Sequence, residues 1–80
     1  LNGAKLRGAK LSEANFTGAI LWRAELSNAT LYRAILSRAM LIKADLSGVD
    51  LSESLLDRAD LRLTNLTGAN LSGANLTGTD

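Results

Sequence analysis

Ala69-Asn70-Leu71-Ser72-Gly73 runs straight into Ala74-Asn75-Leu76-Thr77-Gly78, one five-residue unit written twice. Working outward from there, a large apolar residue recurs at every fifth position from Leu1 to Leu76. It occurs sixteen times and is leucine everywhere except Phe16. A spacing of five fits neither common element. On a helix, five residues advance about 500°, or roughly 140° net, so the leucines would form no stripe. In a strand, an odd spacing throws successive leucines onto opposite faces. The chain must therefore change direction once per repeat, always the same way.

The other positions of the unit carry their own physical meaning. Two residues before each of these central leucines stands a small residue. It is Ala twelve times and otherwise Val49, Ser54, Thr64 or Thr79. Large and small residues two apart share one face of an extended segment, so both point inward. Asn or Asp stands just before the centre in half the repeats, at Asn15, Asp45, Asp50, Asp60, Asn65, Asn70, Asn75 and Asp80. Ser or Thr is commonest just after it, and all seven glycines fall two after it. These are turn residues, and Gly tolerates positive φ at no cost. Nine repeats lack Gly at that position, which predicts a corner that does not strictly demand positive φ. Short extended pieces joined by regular turns give a solenoid.

Runs such as residues 69–73 and 74–78 resemble the signature of pentapeptide-repeat proteins, and the resemblance extends over the whole chain. It implies an all-β fold: a right-handed quadrilateral β-helix with four pentapeptides per coil, hence four coils of about twenty residues. The sequence carries a check on this. At a lag of twenty, the outward exceptions to the polar pattern stack: Ile20 on Met40, Trp22 on Ile42, Ile35 on Leu55, Arg23 on Lys43 and Arg38 on Arg58. Glu13, Arg33 and Glu53 form an alternating-charge column. A lag of fifteen keeps most of these pairs but loses Trp22 with Ile42, so twenty is favoured.

Residues 1–80 read as one solenoid domain without a linker, and the absence of a cap at either end reads as a piece of a longer parent chain. There is no Cys, so no disulfide or thiolate metal site. No run of about twenty apolar residues offers a membrane span, and no signal peptide is visible, which gives a cytoplasmic expectation. The net charge is only +1. By twenties along the chain it runs +2, +2, −3 and zero, a weak axial dipole.

No catalytic constellation emerges. The chain has no His, which removes the commonest general base. The glycines follow the repeat and build no phosphate loop. The hydroxyls of Ser54, Thr64 and Thr79 lie at inward positions, where backbone hydrogen bonds are their expected use. The expectation is a non-enzyme that carries no metal or other cofactor.

The outward departures from consensus are more informative. Ile20, Trp22, Arg23, Met40, Ile42 and Lys43 occupy the side centred on Leu21 and Leu41, with Arg62 and Leu63 beyond them. Ile35, Leu55, Arg38 and Arg58 occupy the side before it. Together they predict an apolar patch with basic edges. Such patches usually mark contacts, and Trp and Arg are enriched at energetic centres of interfaces. Tyr32 and Leu63 read as ordinary drift at unconstrained positions.

The reading is a non-catalytic scaffold that binds a protein through this patch. A second copy, joined through the coil ends or the patch, is another partner the layout allows. The resemblance implies an alternative, DNA mimicry that inhibits a type II topoisomerase such as DNA gyrase. Here, however, the acids cluster in one coil and the best columns are basic. Direct nucleic-acid binding through Arg23, Arg38, Lys43, Arg58 and Arg62 is disfavoured by eight acids on the same chain. Ice binding would want a regular Thr array, and the nearest column is Arg7, Ser27, Ser47 and Thr67.

Overall fold

The computed structural model describes residues 2–80, which form a solenoid with extents of 26 × 22 × 18 Å. Eleven parallel bridges, from Lys5 with Glu25 to Leu55 with Asn75, all join residues twenty apart. Each bridge residue is the one just before a central leucine, and a two-residue turn follows each centre. Four such units therefore close one coil, and each side of the solenoid stacks residues at a lag of twenty. The lag of fifteen is excluded.

In the two middle coils the backbone accounts for four of the five N–H groups of each repeat. Around Leu21, the Leu21 N–H donates to the Met40 carbonyl at 2.7 Å and the Arg23 N–H to the Ile42 carbonyl at 2.9 Å, both in the next coil. The Glu25 N–H donates back to the Ala4 carbonyl at 2.8 Å, in the previous coil. The Ala24 N–H closes the turn onto the Leu21 carbonyl at 3.1 Å. This pattern recurs along the chain. It is why a small, narrow solenoid holds together: in its middle coils most polar backbone groups have a partner in a neighbouring coil or turn.

The fifth N–H, just after the centre, has no backbone acceptor in this scheme. The Asn or Asp before the centre supplies one. Asp45 accepts from the Ser47 N–H, Asp50 from the Ser52 N–H, and Asn15, Asn65, Asn70 and Asn75 from Thr17, Thr67, Ser72 and Thr77, each at 3.0 Å. These are Asx turns, in which a short side chain replaces a backbone carbonyl. In several units the Ser or Thr hydroxyl donates to the same oxygen, as Ser47 Oγ does to Asp45 Oδ1 at 2.6 Å. Asn/Asp-Leu-Ser/Thr is thus a hydrogen-bonded cassette.

The corners depart from the sequence expectation. All sixteen positions two after a centre have positive φ, from 67° to 72° at the seven glycines and from 56° to 64° at nine other residues. The nine are Glu13, Arg23, Asn28, Arg33, Arg38, Lys43, Glu53, Arg58 and Leu63. The ladder explains this. Each corner N–H points along the axis to the next coil while the following N–H closes the turn within its own coil, and together the two bonds hold every corner residue in one geometry. A side chain there costs roughly 1–2 kcal/mol relative to a right-handed conformation.

The core is a column of alternating leucine and alanine layers. Leu21 through Leu56, with the intervening Ala residues, Val49 and Ser54, are buried, while Leu6, Leu11, Phe16, Leu61, Leu66 and Leu71 are partly covered. The inward hydroxyls are used as expected. Ser54 Oγ donates to the Leu51 carbonyl at 2.6 Å, Thr64 Oγ1 to the Leu61 carbonyl and Thr79 Oγ1 to the Leu56 carbonyl, both at 2.7 Å.

Candidate interaction face

The side centred on Leu21, Leu41 and Leu61 departs furthest from the cassette. In each coil the outward residues are the one before the centre, the one after it, and the corner residue. The lag of twenty therefore builds three rows. Ile20, Trp22 and Arg23 form the first, Met40, Ile42 and Lys43 the second, and Asp60, Arg62 and Leu63 the third. The bridge of Ile20 with Met40 fixes the register of the first two. Consecutive rows lie about 4.8 Å apart, the spacing of neighbouring strands.

Exposure follows this layout. Ile20 is 54% exposed and Trp22 41%, while Met40 and Ile42 are half-buried under their neighbours. In the third row Arg62 donates from Nε and Nη2 to the Asp60 carboxylate, with Nη2 at 2.6 Å from Oδ2. This pairing holds the Asp60 carboxyl below its ordinary value. The polar pair ends the apolar strip. Leu63 stands at the corner beside it, 76% exposed at φ 60°. That residue is disfavoured twice over, by its backbone and by its hydration.

The basic residues lie at the corners on both edges of the strip. Arg23 and Lys43 form the edge after it; on the edge before it Gly18 precedes the first row, Arg38 the second and Arg58 the polar third row. Among the described residues none of the four forms a salt bridge; the ion pairs are Arg62 with Asp60 and Arg33 with Glu53. Two of the three nearby carboxylates are engaged locally, while Glu25, two residues past Arg23, forms no side-chain hydrogen bond or ion pair among the described residues. Asp57 accepts from Ser37 Oγ at 2.6 Å, and Asp45 from both the N–H and the hydroxyl of Ser47. The Ser47 hydroxyl and N–H hold the Asp45 carboxyl below its ordinary value.

Ile35 and Leu55 are bridged to each other on the preceding side. The columns of Ser37 with Asp57 and of Arg38 with Arg58 run between them and Ile20 with Met40. The predicted patch is thus two apolar strips separated by a basic corner, and the larger strip is the one around Trp22 and Ile42. The order of residues around the coil carried this signal.

Both strips give up the cassette. Ile20, Ile35, Met40 and Leu55 stand where Asn or Asp stands elsewhere, so the N–H groups of Trp22, Ser37, Ile42 and Asp57 have no preceding side-chain acceptor. The alternating-charge column lies apart from both strips. There Arg33 Nε is 3.3 Å from Glu53 Oε1, and the Arg33 guanidinium lies 5.1 Å from the Tyr32 ring centroid. That is exposed surface support, worth little per pair. No concave pocket opens on the described residues.

The chain matches a family model of pentapeptide repeats in eight copies, over residues 1–38, 9–48 and 44–80. Among solved structures it is similar to HetL, a pentapeptide repeat protein involved in heterocyst differentiation regulation in the cyanobacterium Nostoc sp. strain PCC 7120. The identity is 41% over 100% of this chain and 37% of that one, with a TM-score of 0.98. A pentapeptide repeat protein from the cyanobacterium Cyanothece 51142 is 38% identical over 100% of this chain and 54% of its own, with a TM-score of 0.99. A further one from Nostoc PCC 7120 is 41% identical over 94% and 62%, with a TM-score of 0.92. The chain spans between 37% and 62% of the length of these solved proteins. No curated protein sequence matches it. By its repeats, its coil geometry and these likenesses, the chain belongs to the pentapeptide repeat family and folds as that family's right-handed, four-sided β-helix.

Proposed function

We propose that this solenoid is a non-catalytic scaffold that binds a protein partner through the side bearing Ile20, Trp22, Met40 and Ile42. One observation carries the reading. On this side Ile20 and Met40 put large apolar residues at the position where Asp45, Asp50 and Asp60 each supply an Asx turn in other units. Each such replacement gives up a local hydrogen bond and exposes apolar surface, so it works against the isolated fold twice. Covering by a partner offsets both losses. The absence of His and Cys from the sequence also favours binding over catalysis. HetL, 41% identical, is described as taking part in regulation, a role for which binding suffices. DNA mimicry draws less support. Asp45 and Asp50 are engaged by Ser47 and Ser52, and four unpaired cations border the strip.

The test is the double variant Trp22→Ala/Ile42→Glu, with folding checked by circular dichroism and thermal unfolding. The folded variant is expected to lose partner capture that the parent chain shows. Undiminished capture sinks the reading.

A further inference from the structure

We infer that the partner's contacting element is an acidic amphipathic helix, its apolar ridge on Ile20, Trp22, Met40 and Ile42 and its flanking carboxylates on the two cationic corners. This rests on the protein-binding reading above and specifies its chemistry.

The charge layout selects the sign. Arg38 lies at the corner before the second apolar row, with Arg58 one row beyond it and Gly18 before the first; Arg23 and Lys43 line the other edge of both rows, and none of the four cations has an ion-pair partner among the described residues. The ladder fixes the backbone of all four at φ between 58° and 62°, so the charges stand at defined corners. An apolar stripe with cations on both flanks is complementary to an apolar ridge with anions on both flanks.

The same layout disfavours a second copy. Two identical strips turned face to face bring a cationic edge onto a cationic edge in either orientation, because both edges have the same sign. Duplex nucleic acid would satisfy the corners but would set Ile20, Met40 and Ile42 against a phosphate backbone, leaving the apolar centre uncompensated.

The spacing selects the helix. Successive rows are about 4.8 Å apart, close to the roughly 5–6 Å between side chains one turn apart on a helix. A helix laid along the solenoid axis therefore meets one row per turn. The track ends at the third row, where the Asp60–Arg62 pair replaces the apolar residues.

Trp22 is the only tryptophan in the chain and reports on this site directly. The probes are two synthetic helical peptides with the same leucine ridge, one flanked by Glu and one by Lys, together with a short DNA duplex. The Glu-flanked peptide is expected to shift Trp22 emission to the blue and to bind about tenfold or more tighter than the Lys-flanked one. Added salt should weaken it. The variant Arg38→Glu/Lys43→Glu, shown folded by its unfolding temperature, should reverse the preference. Equal binding of the two peptides, or displacement of the Glu-flanked peptide by the duplex, overturns the inference. If neither peptide binds while Trp22→Ala/Ile42→Glu still abolishes partner capture, the binding reading stands and the acidic helix falls. If capture survives the double variant, both fall.

Discussion

The side centred on Leu31 and Leu51 and the side centred on Leu21 and Leu41 share one backbone but use their outer side chains differently. All four leucines are buried to the same degree. The ladder bonds also match: Leu31 N–H to the Asp50 carbonyl and Leu21 N–H to the Met40 carbonyl, both at 2.7 Å. On the first side Asp50 accepts the Ser52 N–H. On the second, Met40 stands in the equivalent place and offers the Ile42 N–H nothing. Interior and ladder thus define the coil without help from the outer positions. Those positions are left to serve either the local turn or something outside the molecule.

The comparison is open to direct attack. Leu41→Ala and Leu51→Ala should each cost about 2–5 kcal/mol, the usual range for emptying a leucine site in a packed core. Denaturant unfolding should give closely similar values. A much smaller loss at Leu41 would break the claim that the two sides are equivalent inside. At the next level, Asp50→Ala should cost about 0.5–1.5 kcal/mol, one net hydrogen bond. Met40→Asn should return a similar amount by giving the Ile42 N–H an acceptor, while weakening partner binding. An unchanged melting temperature for Met40→Asn would mean that water already serves that N–H equally well.

Corner substitutions sharpen the point. Arg23→Gly and Leu63→Gly should each raise stability by about 0.5–1 kcal/mol. Roughly 1–2 kcal/mol of left-handed strain is relieved, against about 0.5–1 kcal/mol of added chain entropy. A loss instead of a gain in thermal unfolding would show that these side chains pack on the coil.

The smallest expected effect is on pH dependence. Asp45 and Asp50 are held below the ordinary carboxyl value by their Ser hydroxyl and N–H donors, and Asp60 by Arg62. Each takes up its proton at lower pH when folded than when unfolded. The stabilisation is therefore complete above the unfolded value near ~4 and lost as pH falls through the lower folded value. The variant Asp45→Asn/Asp50→Asn keeps the acceptors and removes the titration. Its unfolding temperature should match the parent at neutral pH and fall less steeply in acid; an unaltered acid profile would count against the two carboxylates.

The fold was legible because a five-residue spacing contradicts both helix and strand, and because Trp22 with Ile42 distinguished a lag of twenty from fifteen. The corner conformation was not. Glycine marks only seven of sixteen corners, and the force that holds Arg38 or Leu63 at positive φ comes from coils twenty residues away. The Asx cassette was half legible: Asn15 with Thr17 and Asp50 with Ser52 showed the pairing, but only the backbone accounting showed which N–H lacked an acceptor. The candidate face was legible as a set of residues. Its division by Arg38 and Arg58 depended on the order of columns around a coil.

The lag of twenty also makes the chain an angular scale. A unit of five residues is a quarter-turn, so an insertion of one repeat between Arg23 and Met40 would leave every leucine inward and every ladder bond available. Yet it would carry Met40 and Ile42 one side further round, away from Ile20 and Trp22. A whole inserted coil would instead lengthen the rod and leave the two halves of the strip in line. In this molecule, surface is written in modulo-twenty arithmetic, and a change harmless to folding can erase a binding site by rotation alone.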